Sequence, residues 1–402
     1  QFIDREFPIA ASEYPEGVSR RRWMQLMGAS LAVAGVGGCR YSEESIAPFV
    51  IRPEGRLPGE SYSRATNFEL AGRVYNLLIS CVDGRPLKIE PNTEHPSGTG
   101  TDVFSQASIL GLYDPDRARG DESFLVRKGP KRRENATWED FQPYGQGVIR
   151  AAAANNKGAG LAVLMPPTAS PSLVRMLSAL KKKCPSATLV RYDGVQGTAM
   201  RDATKTVFGK PAKQVLDLSD AKVIVTLQAD ILGNDPSMIS NARSFAAGES
   251  HQHAEEIKAY DELTHPERLE RFLDVLSHDI AEAGEDAVVV VGDHLGAEAV
   301  AAGIALNKKL GSLGKIQKFT PEVDGDLADS TSLGDLVQKI NDGGVESLLI
   351  LGGNPVVTAP GDVDLLSAIG KVENSIYLGE YDDETGLACT WSLPLAHPLE
   401  SW

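Results

Sequence analysis

The order of apolar and polar residues predicts a β-hairpin followed by a short helix in the first third of the chain. Val74–Cys81 is largely apolar, Asp83-Gly84 is a turn signal, and Pro86–Glu90 supplies the returning strand. A helix is expected from Asp102 to Leu112, because Asp114-Pro115 stops it there. This hairpin and helix are the most distinctive part of the pattern.

Beyond residue 158 the pattern changes to buried strands that alternate with helices. Strands are predicted at Leu161–Met165, Ala187–Tyr192, Ala221–Gln228, Ala287–Val291, Gly344–Leu351 and Ser375–Leu378. Helices are predicted at Ser172–Lys182, Met200–Phe208, Glu255–Ala283 and Ala297–Leu310. Short apolar strands that alternate with helices are typical of a parallel sheet covered on both faces. The predicted fold class is therefore α/β, with Rossmann-like parallel-sheet domains after a small domain that contains the hairpin.

Four regions are expected along the chain. Residues 1–62 are interpreted as a basic segment and an extended, proline-bearing linker, and residues 63–150 as the small domain. Residues 151–250 form the first α/β domain, and residues 251–402 form a second α/β region that is expected to be incomplete at its end. Within the small domain, Thr137 and Asp140 have the spacing of a capping box and predict a further helix start.

Size and charge restrict the classes of function. A chain of 402 residues is too long for one core and suggests two or three domains. The net charge of −15 argues against nucleic acid as a partner, because phosphate binding requires clustered Lys and Arg. We therefore expect no nucleic-acid-binding function.

The cysteines and histidines do not form a local metal motif. The four cysteines stand at positions 39, 81, 184 and 389, far from any Cys-x-x-Cys spacing, so the sequence encodes no local iron–sulfur or zinc site. His251 and His253 are two residues apart, without a third candidate ligand nearby, and are interpreted as part of a polar loop. No metal-ligating residue is assigned.

The N-terminal region has the layout of a twin-arginine export signal. Arg20 and Arg21 precede a short, glycine-rich apolar run that is too short to span a bilayer comfortably. The alternative is a basic start to an amphipathic helix. Val36-Gly-Gly-Cys39 also resembles a lipoprotein cleavage box, which makes Cys39 a candidate for lipidation. We expect the leader to be retained, with lipidation of Cys39 as the minority alternative.

Two loops after predicted strands are candidate ligand sites. Asp230–Ser237 follows the third strand at its carboxyl end, where α/β proteins usually bind ligands, although Asp235 or Ser237 could instead cap a helix. Gly292-x-x-x-Gly296 could hold a phosphate on helix N–H groups, but it is not the dinucleotide-binding fingerprint. His294 in this turn is either catalytic or, more commonly for such a histidine, solvent-facing. We assign no catalytic or cofactor-binding residue.

Several sequence motifs, here also called phrases, resemble those of the molybdopterin oxidoreductase superfamily, and they occur in the same order. The first two are Val82-Asp-Gly-Arg-Pro-Leu-Lys-Ile-Glu-Pro-Asn-Thr-Glu-His-Pro96 and Leu112-Tyr-Asp-Pro-Asp-Arg117. Leu351-Gly-Gly-Asn-Pro355, Asp383-Glu-Thr385 and Leu393-Pro…Leu-Glu400 follow. Together they are most similar to one branch, the exported molybdopterin-oxidoreductase-like subunit of bacterial alternative complex III.

This resemblance implies a molybdopterin-oxidoreductase-like fold without a cofactor in this segment. In that branch the iron–sulfur clusters lie in a C-terminal half, which would follow Trp402. In that branch quinol is oxidised at integral-membrane subunits. The other partners are multihaem cytochromes c and lipoprotein subunits. The subunit itself lies at the periplasmic face of the inner membrane. This half would be a non-catalytic scaffold of a quinol-oxidising complex.

Two alternatives to the scaffold remain open. One is an active molybdopterin catalytic subunit of a complex that resembles polysulfide or thiosulfate reductase. Such a subunit needs a metal ligand, and the sequence offers none that is convincing: before the hairpin and within it only Cys39 and Cys81 occur, and Cys81 is expected to be a small buried residue. The other alternative is a secreted binding module on an α/β frame.

Overall fold

A computed structural model describes most of the chain after residue 56. The described residues are Met24, Gln25, Met27, Leu57 and residues 59–400, without 71, 97–99, 119–123, 128–132, 195–196, 250–265, 326 and 328–330. The chain divides into two units, Gln1–Leu57 and Pro58–Trp402. All the elements below belong to the second unit. Among the described helices none is long and apolar enough to cross a membrane.

The second unit begins with a three-stranded antiparallel meander and one helix. Its elements are β1 (Ser61–Leu70), β2 (Arg73–Val82), β3 (Arg85–Pro91) and α1 (Val103–Leu112). Asp83 and Gly84 have positive φ angles of 49° and 87°, as a tight hairpin turn requires, and they confirm the predicted hairpin. Strand β1 was not predicted, because its side chains are mostly exposed and polar residues interrupt any apolar alternation.

Helix α1 packs on strand β3, which fixes it beside the hairpin. Asp102 and Ser105 form a capping box at its start, and Gln106 donates from Nε2 to the carbonyl of Ile89 at 2.8 Å. Phe68, Tyr75, Leu77, Ile79, Cys81 and Ile89 form the core beneath. The predicted helix is confirmed within one residue at its start.

The middle of the chain contributes edge strands, helices and the first parallel strands. The elements are β4 (Phe124–Arg127), β5 (Arg133–Ala136), α2 (Trp138–Ala154), β6 (Leu161–Met165), α3 (Pro171–Lys183), β7 (Thr188–Arg191), α4 (Ala199–Phe208), β8 (Ala212–Leu216), β9 (Val223–Leu227), α5 (Met238–Glu249) and α6 (Pro266–Ala283). The predicted capping box at Thr137 and Asp140 is present at the start of α2.

The last third repeats the strand–helix alternation. Its elements are β10 (Ala287–Val291), α7 (Ala297–Leu310), β11 (Gln317–Pro321), α8 (Leu333–Asn341), β12 (Ser347–Leu351), α9 (Pro355–Thr358), α10 (Leu365–Ile369), β13 (Asn374–Gly379), α11 (Glu384–Ala388) and β14 (Trp391–Pro394). Short 3₁₀ turns flank β10, at Gly284–Asp286 and Asp293–Leu295.

The largest sheet has seven strands, in the order β5-β4-β14-β13-β12-β6-β7. The five strands from β14 to β7 are parallel, and β4 and β5 add an antiparallel edge. All five residues of Leu161–Met165 are buried, because helices cover both faces of a parallel sheet. The predicted α/β class with parallel strands is confirmed.

A second group of strands lies between β7 and α8 in the sequence. Strands β9 and β10 pair in parallel, and β8 pairs with β11 in antiparallel fashion. The predicted third strand of the first α/β run, Ala221–Gln228, therefore does not join β6 and β7 but pairs with Ala287–Val291. The apolar pattern identified it as a buried strand, but such a pattern fits either sheet equally well and does not specify a partner.

The strand pairing also crosses the predicted domain boundary at residues 250 and 251. β6 and β7 lie before it and pair in one sheet with β12, β13 and β14, which lie after it. β9 and β10 likewise come from the two sides. The predicted domain limits remain predictions, but the residues from about α4 to β11 form an insertion between two parts of the seven-stranded sheet.

Candidate functional site

The carboxyl edge of the seven-stranded sheet is a candidate ligand site, because α/β folds usually bind ligands there. At the end of β6 the chain runs through Thr168 and Ala169 into Ser170, the N-cap of α3. The Glu69 carboxylate, from β1, reaches this loop. It accepts hydrogen bonds from the Ala169 N–H at 2.5 Å and from the Thr168 hydroxyl at 3.2 Å. A carboxylate of the chain therefore lies beside a helix start that would suit an anion.

Burial makes the charge on Glu69 unfavourable. Burial raises the pKa of its carboxyl above the ordinary value, while the hydrogen bonds from Ala169 and Thr168 act in the opposite direction. The nearby Asp324 carboxylate raises the pKa further, and the Lys213 ammonium lowers it. Because the folded-state pKa lies above the unfolded one, the contribution of Glu69 to stability is largest at low pH and is lost as the pH rises through the folded pKa.

We expect Glu69→Gln to remove this part of the pH dependence. Glutamine can accept from the Ala169 N–H and donate to the Thr168 hydroxyl, without a charge to bury. The variant should match the unchanged protein near pH 4.5 and be more stable at pH 7, as measured by urea unfolding at both values. Glu69→Ala, the matched control, should lose about 2 kcal/mol at pH 7, because it leaves the partly buried Ala169 N–H and the Thr168 hydroxyl without this acceptor. A loss in Glu69→Gln equal to that in Glu69→Ala would contradict this account.

The second parallel pair, β9 and β10, carries an equivalent carboxylate. Asp293 follows β10, and its Oδ1 accepts a hydrogen bond from the Met200 N–H, in the first turn of α4. A Cβ atom at Gly197 would overlap Asp293 Oδ2, so glycine permits this close approach. The positive end of the α4 dipole and its free N–H groups attract the carboxylate. Here too the anion at the helix start comes from the chain itself.

Asp293→Ala should destabilise the protein through α4. Loss of this N-terminal acceptor should lower the free energy of unfolding by about 1 kcal/mol, the usual effect of removing a helix cap. Asp293→Asn keeps an acceptor oxygen and should lose less than half as much. Thermal unfolding of the two variants measures the difference, and an equal loss would show that the acceptor is not what matters.

His294 and Gly292 have structural explanations in this turn. His294 is exposed, and its Nε2 lies 2.7 Å from Gln228 Oε1. Gln228 has a φ of 51°, which is unusual for a residue with a side chain. A Cβ at Gly292 would overlap the carbonyl oxygen of Gln228, so close backbone approach explains this glycine. The turn was a candidate phosphate site, but its glycine serves packing between β9 and β10.

An ionic cluster joins the insertion to the seven-stranded sheet at the two points where the chain crosses between them. Arg191 ends β7 and Arg201 lies in α4, on either side of the first crossing. Glu322 and Asp324 follow β11, just before the second. Arg191 lies 2.5 Å from Glu322 Oε2 and 3.3 Å from Asp324 Oδ1, and Arg201 also pairs with Glu322. These side chains are at least four-fifths buried.

Two of the motifs that resemble the superfamily, Leu351–Pro355 and Asp383–Thr385, meet at the carboxyl edge of β12 and β13. Asn354 donates to Glu384 Oε2 and accepts from the Thr385 hydroxyl, each at 2.7 Å. The Tyr377 hydroxyl bonds to the Gly353 carbonyl and to Asp383, and burial raises its pKa. The polar side chains of Leu351–Pro355 and Asp383–Thr385 are thus bonded to one another across this edge.

The end of α1 and the last described residues enclose a cavity. It has a volume of about 540 Å³ and is lined by Leu112, Tyr113, Asp114, Arg117, Ala118, Trp138, Pro394, Leu395, Ala396 and Glu400. Arg117 makes a bidentate pair with Glu400, at 3.1 and 2.6 Å. His397, which is buried, bonds to the Ser108 carbonyl at 3.0 Å. The phrases that end at Arg117 and at Glu400 are therefore neighbours in space.

The candidate export and lipidation residues, Arg20, Arg21 and Cys39, lie outside the described residues, as do His251 and His253. Cys81, Cys184 and Cys389 are buried, and none of these three forms a disulfide bond. In the part of the chain that the structure describes, no group of three or more His, Cys, Asp or Glu could hold a metal ion. In the loop after β9, Asp235 accepts from the Ser237 N–H just before α5, which favours the capping alternative there.

Sequence reasoning missed the two carboxylates at the helix starts. Asp293 lies in the turn that was singled out for its glycines, and an acidic residue there could have suggested an internal anion. Glu69 gave no signal, because its partners stand about 100 residues further along the chain. The ionic cluster was also not predicted from the sequence; it consists of Arg191, Arg201, Glu322 and Asp324.

The described residues have a molybdopterin-oxidoreductase-like fold. Among solved structures, acetylene hydratase from Pelobacter acetylenicus is similar, with a TM-score of 0.52 and 10% sequence identity. The match covers 83% of this chain but 63% of the hydratase, less than two thirds of its length. No family model and no curated protein matches the sequence. This similarity establishes the fold alone.

Proposed function

We propose that this chain is a non-catalytic scaffold, the molybdopterin-oxidoreductase-like portion of the large peripheral subunit of bacterial alternative complex III. The fold and the ordered phrases up to Leu393-Pro…Leu-Glu400 support the family part of this proposal. In this role the segment carries no redox cofactor. Electrons from quinol pass through iron–sulfur clusters in a C-terminal half and then through multihaem cytochromes c.

One observation carries the cofactor-free part of the proposal. Glu69 at the start of α3 and Asp293 at the start of α4 put carboxylates where the fold offers N–H groups to an anion. Pterin cofactors of this superfamily carry phosphate, and two anions a few ångströms apart repel each other in a site with little water. These residues do not fit a phosphate-bearing cofactor at either position, and this misfit supports a structural role.

The scaffold would sit at the periplasmic face of the inner membrane, after export by the twin-arginine route through Arg20 and Arg21. Its partners would be integral-membrane quinol-binding subunits, multihaem cytochromes c and lipoprotein subunits. The net charge of −15 is compatible with basic partner surfaces and argues against nucleic acid.

The second candidate is an active molybdopterin subunit of a complex that resembles polysulfide or thiosulfate reductase. The observation that favours it is the likeness to acetylene hydratase, whose name is that of an enzyme. The carboxylates of Glu69 and Asp293 argue against it, because each accepts from an N–H group at a helix start that could otherwise bind a phosphate.

Isolation from native membranes tests the assignment to a complex. The full-length protein, tagged and solubilised in mild detergent, should co-purify with integral-membrane subunits and a cytochrome whose haem absorbance scales with the amount of tag. Isolation as a lone protein, in the soluble fraction and without haem, would instead support a secreted binding module and contradict the proposal.

A further inference from the structure

Helix α1 has an exposed apolar side and no charged side chain, although half of its residues face solvent. Its ten residues, Val103–Leu112, contain no charged side chain. Val103, Phe104 and Leu110 are 71%, 52% and 70% exposed. Contiguous exposed apolar side chains mark binding surfaces. The inner side of α1 is already packed on β3, so the outer side is the one without a covering element among the described residues.

The 540 Å³ cavity lies at the C-terminal end of α1. Val103, Ala107 and Leu110 are spaced by four and three residues and share one side of the helix, and Asp114 follows just after its end. Asp114 lines the cavity, together with Tyr113 and Trp138, which are 45% and 46% exposed. We define the α1 groove as this stripe and the cavity at its end.

The cavity end of the groove has a negative electrostatic character. Of the charged side chains that line it, Arg117 is paired with Glu400, which leaves Asp114 as the excess charge. Asp116 adjoins Asp114, to which its N–H donates, and the C-terminal end of α1 adds partial negative charge without a basic residue in its last turn.

The aromatic rings suit a cation as well. The Arg85 guanidinium already lies 5.2 Å from the centroid of the Tyr113 ring, which shows that such a group is accepted at this edge of the groove. The partly exposed Trp138 ring lines the same cavity. Arginine and lysine side chains combine an apolar stem with a charged end, and this is the combination that the groove and cavity would bind.

We propose that the α1 groove docks a segment of another protein, which lays apolar side chains on α1 and inserts one Arg or Lys side chain into the cavity. Charge complementarity selects this occupant over a second copy of this acidic chain or an anionic lipid surface. The proposal does not depend on the role in quinol oxidation, so either can fail alone.

Photo-crosslinking in the native host tests the groove. The full-length protein carries p-benzoylphenylalanine in place of Val103, at the start of the stripe, and adducts are identified by mass spectrometry after irradiation. We expect an adduct to a segment of another polypeptide that contains apolar residues and a Lys or Arg. The same group in place of Leu366, which is 55% exposed on α10, is the control and should not give this adduct.

A pair of substitutions separates charge from apolar contact. Leu110→Lys and Leu110→Glu both remove an apolar side chain at a highly exposed position, where neither should unfold the protein. Insertion of a cation predicts that Leu110→Lys reduces the adduct at least about fivefold more than Leu110→Glu does. Equal reductions would overturn the inserted cation. Adducts only to this polypeptide, to a second copy or to lipid, or no adduct, would overturn the proposed partner.

Discussion

Replacing Asn307 by leucine is expected to lower the free energy of unfolding by about 4 kcal/mol. Asn307 is fully buried, and its side-chain amide pairs with both backbone groups of Val289, at 2.9 Å to the N–H and 2.8 Å to the carbonyl. It also donates to Gln317 Oε1 at 2.8 Å. The amide thus takes the place of a neighbouring strand beside β10.

The effect should be large because leucine has the same branched shape and the same number of side-chain heavy atoms but no polar atoms. Three buried groups would lose their partners: the Val289 N–H, the Val289 carbonyl and the Gln317 amide oxygen. Each unpaired buried group costs roughly 1–3 kcal/mol. Relaxation and entry of water should recover part of the sum.

Urea unfolding, followed by circular dichroism, measures the change in stability. Asn341→Leu is the matched control, because Asn341 is exposed and bonds only to the Lys371 side chain among the contacts found here. It should change stability by less than about 0.5 kcal/mol. If Asn307→Leu were equally mild, the amide would not support β10 in the way described.

The second large effect is expected for Glu322→Ala, with a loss of about 3 kcal/mol. Glu322 is shared by Arg191 and Arg201, and its side chain is 16% exposed. Its removal leaves two largely buried guanidinium groups that share Asp324 as their remaining acidic partner among the described residues. Breaking a buried ion pair on one side is strongly destabilising because the remaining charge is desolvated without compensation.

The location of the cluster adds a specific prediction. Since Arg191 and Glu322 lie next to the two chain crossings, the insertion should loosen first. Hydrogen exchange should speed up at β8 to β11 more than at β6 and β12. Glu90→Ala is the control: it removes the exposed Lys88–Glu90 pair and should change stability by less than about 0.5 kcal/mol. Uniform exchange throughout the second unit would contradict a local role for the cluster.

Features set by neighbouring residues could be predicted from the sequence. The Asp83-Gly84 turn, the helix that ends before Asp114-Pro115 and the capping box of Thr137 and Asp140 all depend on groups within a few residues of one another. Local conformational preference and hydrogen bonding decide such features before any tertiary contact forms. For the same reason the bounds of Ala287–Val291 and Ala297–Leu310 are confirmed as predicted.

Sheet membership and the candidate sites required contacts between distant residues. The Ala221–Gln228 pattern predicted a strand but not its pairing with β10. The Glu69 contact with Ala169 and the two arginines on Glu322 span about 100 residues or more. An acidic residue on an exposed strand is usually solvated, so no local signal distinguishes Glu69 from its neighbours.

The resemblance predicted the fold, but it did not reveal how the polar groups of its sequence motifs are used. Asn354 bonds to Glu384 and Thr385, and Arg117 to Glu400, so the phrases bind each other across the structure. These contacts give the polar residues of the motifs a structural use.

The central claim is that carboxylates of the chain, Glu69 and Asp293, hold the positions that a phosphate-bearing pterin would need. The most direct test is the molybdenum, tungsten and pterin content of the full-length protein purified from native membranes. Metals are measured by mass spectrometry, and pterin by the fluorescence of its oxidised form after denaturation. We predict background levels of all three. Molybdenum or tungsten stoichiometric with the chain, together with pterin, would contradict the account.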